Sequence, residues 1–143
     1  MKGYKMKDNI IKEKSFNFAV RIVNLNKYLV SNKKEYVLSK QILRSGTSIG
    51  ANVEEAIGGI SKSDFSHKIS IAYKESRETH FWLRLLYATE YIDKNMHDSL
   101  IADCDENCKI LYSILKSSRI KKLKIATVVI AALIAHYSLL IIN

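Results

Sequence analysis

Apolar residues return at intervals of three and four along most of the chain, the period of a helix that packs on one side. Phe18, Ile22, Leu25 and Leu29 make the first such stripe and predict a helix from about Asn9 to Leu29. The polar run Ser31-Asn32-Lys33-Lys34 interrupts it, and Asn32 with Glu35 three residues on has the pattern of a capping box. A second helix is predicted from about Lys34 to Ile57, with Leu38, Ile42, Ile49, Val53 and Ala56 inward. Its centre, Ser45-Gly46-Thr47-Ser48-Ile49-Gly50-Ala51, has poor helix propensity, which close approach of a neighbouring helix would offset. Gly58-Gly59 should end it, since glycine accepts the left-handed conformation of a C-cap.

Ser61, with Asp64 three residues later, reads as the next N-cap. The third helix is expected from about Lys62 to Tyr91, its inward stripe being Phe65, Ile69, Ala72, Ser76, Thr79, Leu83 and Leu86. Asp93-Lys94-Asn95 breaks the pattern, and Asn95 with Asp98 has the spacing to cap a fourth helix. That helix carries His97, Ile101, Cys104, Cys108, Leu111 and Leu115 on one face. There is no proline to interrupt a long helix. Four amphipathic helices joined by short loops make sequence neighbours antiparallel, so the predicted fold is an all-α, up-down-up-down four-helix bundle. The bundle is placed in residues 1–119, followed by a basic junction and apolar tail in 120–143.

Charge adds a clue about partners. The chain carries +9 at neutral pH. Residues 1–33 hold eight Lys/Arg against two acids and residues 116–143 hold five against none, while the middle is nearly balanced. Such an excess favours polyanions, either nucleic acid or an anionic membrane surface, although lysine-rich helix ends also serve solubility alone. Cys104 and Cys108 do not form a disulfide framework, and no apolar run follows the lysine-rich start of the chain. A reducing, cytoplasmic setting is therefore expected.

The segments SFNFAVRIVNL, LSKQILRSGTSIGANVEEAIGG and SDFSHKISIAYKESRETHFWLRLL resemble a known family. It comprises four-helix-bundle proteins first met as products of intervening sequences in bacterial 23S ribosomal RNA genes. The likeness covers roughly residues 9–119 and centres on Gln41, Arg44, Ser45, Ser48, Ile49, Asn52, Glu55 and Ala56, then Phe65, Glu75, Glu78, Trp82 and Leu83. Most members have no assigned activity. A branch similar in fold is the accessory subunit of diversity-generating retroelements, a basic, ring-like pentamer that engages reverse transcriptase and nucleic acid. The resemblance thus implies a homo-oligomer, a pentamer in that branch, with RNA, DNA or a reverse-transcriptase-like enzyme as partner.

Catalysis finds little footing. Ser48 and Asn52, with Ser45 beside them, read as a satisfied polar layer in which Asn52 bridges to another helix. Pairing helices two and three about Gly59 puts Glu75 near the level of Arg44 and Glu78 near Gln41, an interhelical cluster that would set register. Glu55 belongs to the same polar set, and it points about 100° away from Glu54. No glutamate has a histidine three residues on, which excludes a ferritin-like di-iron pattern. Cys104, Cys108 and His97 lack an evident fourth zinc ligand, and their apolar stripe suits buried thiols. Gly46 to Gly50 lacks the lysine of a phosphate loop. No catalytic residue, metal or cofactor is expected. Lys74, Arg77 and Arg84 fall within about 80° of one another on the third helix and are the candidate phosphate contacts, the alternative being a merely solvated face.

The tail is the remaining feature. Residues 125–142 carry no formal charge, and ten of the 18 are Ile, Leu or Val. As a helix they would span about 27 Å, just short of a hydrocarbon core of about 30 Å. Lys116, Arg119, Lys121, Lys122 and Lys124 precede them, a flank that would stay cytoplasmic. A membrane tether, a helix packed in an oligomer and an extension without a role are the three expectations.

Overall fold

The computed structural model describes the backbone of residues 2–142 and their side chains except those of residues 2–9, 119, 121, 122, 135, 136 and 138–142. Four helices, α1 (Lys2–Lys33), α2 (Leu38–Ile57), α3 (Lys62–Ala88) and α4 (Lys94–Ile142), account for nearly all of it. Each helix packs closely on two others in the cyclic order α1, α2, α3, α4, with no close backbone approach across either diagonal among the described residues. With connections of four or five residues, sequence neighbours run antiparallel around a square core. The fold is the expected all-α helical bundle.

The core is built from the stripes that the sequence displays. Phe18, Ile22, Leu25 and Leu29 of α1 are buried against Ile42, Ile49 and Val53 of α2, Ile69, Leu83 and Leu86 of α3, and Leu100, Leu111 and Ile114 of α4. Each such side chain contributes about 1.5–3 kcal/mol when removed from water. Asn107, rather than an apolar residue, occupies a buried place on α4 and back-bonds through Nδ2 to the Asp103 carbonyl at 2.9 Å.

The small centre of α2 is explained by α1. A Cβ placed on Gly46 would lie 2.7 Å from Cγ1 and 2.8 Å from Cγ2 of Ile22, so only glycine lets the two helices approach this closely. At Gly50 the nearest atom is the Ser15 carbonyl oxygen at 3.4 Å, an ordinary contact.

The helix ends depart from expectation in three places, each for a local reason. The first helix runs on to Lys33, and the chain turns at Lys34 through a left-handed φ of 53°. Glu35, not Asn32, then caps α2. Its buried carboxylate accepts from the backbone N–H groups of Val37 at 3.0 Å, Leu38 at 2.8 Å and Ser39 at 2.6 Å. A longer side chain reaches the orphan donors from further upstream, and it satisfies three at once. At the end of α2, Gly58 is right-handed at φ −79° and no glycine among the described residues has positive φ, so the left-handed cap expected at Gly58-Gly59 does not form. Left-handed geometry appears instead at Glu90, with φ 61°, where Tyr91 N–H to the Leu86 carbonyl at 2.9 Å and Glu90 N–H to the Tyr87 carbonyl at 3.0 Å close a Schellman motif. This stops α3 at Ala88, three residues short of the expected Tyr91. Asp93, not Asn95, caps α4, its Oδ1 accepting from Met96 N–H at 2.8 Å. Ser61 caps α3 as expected, its hydroxyl accepting from Asp64 N–H at 3.0 Å.

Candidate nucleic-acid interface

The face of α3 turned from the core is set by the face turned toward it. Burying Ile69, Ala72, Ser76, Thr79, Leu83 and Leu86 aims Lys74, Arg77 and Arg84 outward, and all three are exposed. Five cations elsewhere on the bundle meet acids, Lys12 with Glu54, Lys14 with Glu106, Arg21 with Asp103, Lys68 with Glu55 and Lys94 with Asp98, whereas others such as Lys27, Lys40 and Lys109 form no ion pair among the described residues. No carboxylate among the described residues forms an ion pair with Lys74, Arg77 or Arg84. Glu78, on the flank of the stripe, is held by its own helix, accepting from Trp82 Nε1 at 3.1 Å. On the other flank Asp105 of α4 faces His80 at 3.5 Å.

Two exposed aromatics stand with these cations: the sequence reading passes over Phe81, and it takes Trp82 and the eight tyrosines, Tyr112 among them, as core or interface residues rather than stacking platforms. Phe81 is 53% exposed and meets Trp82 edge-on, with ring centroids 4.9 Å apart. Tyr112 of α4 is also 53% exposed, and its ring lies 6.0 Å from that of Tyr73 on α3. Their phase was the available signal. Phe81 follows Arg77 by four residues and precedes Arg84 by three, while Tyr112 lies three after Lys109 and four before Lys116.

Polar residues of α2 and α3 meet across the helix pair at a hydroxyl contact and an ion pair, in a register different from the one expected. Thr79 Oγ1 donates to Ser45 Oγ at 3.0 Å, and Lys68 pairs with Glu55. These contacts centre the helix pair on residues 61–62, not Gly59, because Gly58 and Gly59 form a longer turn than a bare two-residue pivot. Arg44 still acts on Glu75. Burial holds the Glu75 carboxyl above its ordinary range, the Glu78 charge adds to this, and Arg44 opposes both. Asn52 does not bridge to another helix: its Nδ2 donates to the Ser48 carbonyl at 2.8 Å within α2. The interhelical hydroxyl contact belongs to Ser45 and Thr79 instead.

Cys104 and Cys108 are buried thiols in a local chain of hydrogen bonds. Cys104 Sγ donates to the Ser76 carbonyl at 3.3 Å, and Cys108 Sγ lies 3.0 Å from Ser76 Oγ, which donates to the Tyr73 carbonyl at 2.7 Å. The neighbouring Cys108 thiol and burial push the Cys104 thiol well up. His97 is apart from them, stacked on Tyr87 at 4.5 Å with Nδ1 3.0 Å from Asp98 Oδ1. Among the described residues no three His, Cys, Asp or Glu side chains gather as a metal site.

Beyond the bundle α4 continues without a break into the tail. Leu123, Ile125, Val128, Val129, Ile130, Leu133, Ile134 and Tyr137 are all exposed. Among the described residues no helix is long and apolar enough to cross a membrane. The span expected at 125–142 includes 135, 136 and 138–142, and its basic flank includes Arg119, Lys121 and Lys122, whose side chains lie outside the described residues.

Comparison with known proteins agrees with this architecture. A crystal structure of a protein of unknown function from the S23 ribosomal protein family of Bacteroides thetaiotaomicron is 56% identical, with a TM-score of 0.76. The match covers 77% of this chain and 98% of that one. No curated protein matches significantly. Residues 7–113 match the family described as 23S rRNA-intervening sequence protein. By that match over most of its length, the chain belongs to the 23S rRNA-intervening sequence protein family.

Proposed function

We propose that this chain is a non-enzymatic, oligomeric bundle that binds nucleic acid, or an enzyme acting on nucleic acid, through its basic surface. The observation that carries the reading is the α3 stripe of Lys74, Arg77 and Arg84, aligned on one exposed helix face and without ion-pair partners among the described residues. Cations aligned on one helix face and not neutralised locally present their charge to phosphates. The family name, which refers to 23S rRNA, is in keeping with this. Self-association is assigned to the outer side of α1, where Phe16, 63% exposed, and Val20 stand beside a shallow groove lined by Ala19, Thr47, Gly50 and Ala51. Phe16→Asp should then reduce the particle mass measured by light scattering.

Binding is tested by titrating the purified protein with RNA and single-stranded DNA across a salt series. Retention is expected at about 50 mM salt and should fall steeply above it. Replacing Lys74, Arg77 and Arg84 with glutamine together should lower the slope of log K against log salt by about two, each phosphate contact on a single strand accounting for about 0.7. Absence of binding at low salt would overturn the reading.

A second reading, an interaction module tethered to a membrane, is favoured by the tail. Its described apolar side chains are exposed around most of the helix, with no charged face between Ile125 and Ile134. A helix apolar on most sides is ordinarily covered, by lipid or by protein. Fractionation of cells expressing the chain with and without residues 125–143 separates the two: recovery of both forms in the soluble fraction ends the tether.

A further inference from the structure

The cationic stripe of α3 does not consist of charge alone, and its aromatic members have no work in the fold that requires exposure. Along α3 the residues that share the outward face run Lys74, Arg77, Phe81, Arg84, at heights of about 0, 4.5, 10.5 and 15 Å. Phe81 thus stands between two guanidinium groups, with half its surface in water. Its edge-on contact with Trp82, at 4.9 Å, fixes the ring on one side and leaves the rest of it accessible. Trp82 is itself held, by Nε1 to Glu78 Oε1 at 3.1 Å. On α4 the same composition recurs, with Tyr112 between Lys109 and Lys116, and the Tyr73–Tyr112 ring contact ties that stretch to the edge of α3. Two helices of unrelated local sequence therefore present an exposed ring flanked by cations on adjoining edges.

Cations alone would serve any polyanion. An aromatic ring between them adds selectivity, because a ring can stack only on a base that is not already stacked and paired. A duplex offers phosphates and hides the faces of its bases. We propose that the α3–α4 face binds unpaired nucleic acid, with phosphates on Lys74, Arg77 and Arg84 and bases stacked on Phe81 and Tyr112. The proposal rests on the nucleic-acid reading above and names the strand state that this face selects. RNA and DNA share the chemistry, so the probes include both.

The test compares oligo(U), oligo(dT) and a mixed-sequence duplex by fluorescence anisotropy at one low salt concentration, using the full chain. Wild type should prefer the single strands. Phe81→Ala and Tyr112→Ala should each weaken single-strand binding by about 5- to 150-fold, the range for loss of one stacked base. Duplex binding and the salt slope should not change, because no charge is removed. Phe81→Tyr should keep the affinity, whereas Phe81→Leu, apolar but without a ring face, should not. The single tryptophan gives a second readout that needs no variant: a base stacked on Phe81 should quench Trp82 emission, and duplex should not. Equal loss for strand and duplex, or no loss with unquenched Trp82, would overturn stacking while leaving phosphate binding intact. A change in oligomeric state without a change in strand binding would make Phe81 a protein contact and overturn it as well. No binding of any probe by wild type would remove both this proposal and the reading beneath it.

Discussion

Gly46 and Gly50 sit one helical turn apart on α2, both beside α1, and the same substitution should act on them with opposite sign. Glycine to alanine in a helix gains about 0.5–1 kcal/mol from reduced backbone freedom. At Gly50 little opposes that gain, since the new methyl meets the Ser15 carbonyl at 3.4 Å. Gly50→Ala should therefore be stabilising by about that amount. At Gly46 the methyl would arrive 2.7 Å from Ile22 Cγ1, closer than carbon atoms can stand. Ile22 cannot swing aside, because it is fully buried and β-branched side chains in helices hold one rotamer. Overpacking of this kind costs about 1–3 kcal/mol. The net for Gly46→Ala is a loss on the order of 1 kcal/mol, and Gly46→Leu should lose more. Each kcal/mol moves the melting temperature by about 3–5 °C at this size. Thermal and urea unfolding measure both variants, and adding Ile22→Ala to Gly46→Ala should recover part of the loss as a coupling of about 0.5–3 kcal/mol. A Gly46→Ala protein no less stable than wild type, or two glycines responding with the same sign, would refute the close crossing.

Other expectations follow from the caps and carboxylates. Glu35→Ala should lose about 2 kcal/mol, since three backbone donors lose their acceptor together. Burial pushes the Glu35 carboxyl up, but those N–H bonds outweigh it and hold the group below its ordinary value. Its contribution is thus present above about pH 4.3 and lost as pH falls through the folded value, so a pH series of melting temperatures should be flatter for Glu35→Gln on the acid side. Glu75 shows the reverse: with its folded value raised, the charged form is disfavoured on folding. Glu75→Gln should be more stable than wild type at neutral pH, by less than about 1 kcal/mol, and the advantage should vanish in acid. Both cysteines, buried in the folded chain, should resist a thiol reagent at neutral pH and react together once urea unfolds it.

Much of the fold was legible because burial repeats. Phe18, Ile22, Leu25 and Leu29 mark one face without ambiguity, and so do the stripes of α2 and α3. The caps were less so. Asn32, Asp93 and Asn95 are all good capping residues, and which one acts depends on where the preceding turn delivers the backbone, something no local pattern encodes. Glu35 escaped notice because a glutamate reads as the far half of a capping box, whereas here it is the acceptor itself. The α2–α3 register missed because the pivot was taken as Gly59, and the Gly58 turn has its own geometry. Lys74, Arg77 and Arg84 were visible by phase. Phe81 and Tyr112 were not, because an aromatic letter looks the same inside a bundle or on it.

The unbroken course of α4 has a mechanical consequence. Its 49 residues make a rod of about 73 Å, against about 40 Å for the 27 residues of α3. Bundle and tail therefore share one shaft, and whatever grips the far end also sets the azimuth at which Lys74, Arg77 and Arg84 are displayed. Removing one residue from the stretch between Ser118 and Ile125 would turn the two ends by about 100° relative to each other, while inserting seven would restore the phase to within about 20°. If both ends are engaged at once, nucleic-acid binding should oscillate with the length of that stretch at a period of about 3.6 residues. If they act separately, length should not matter.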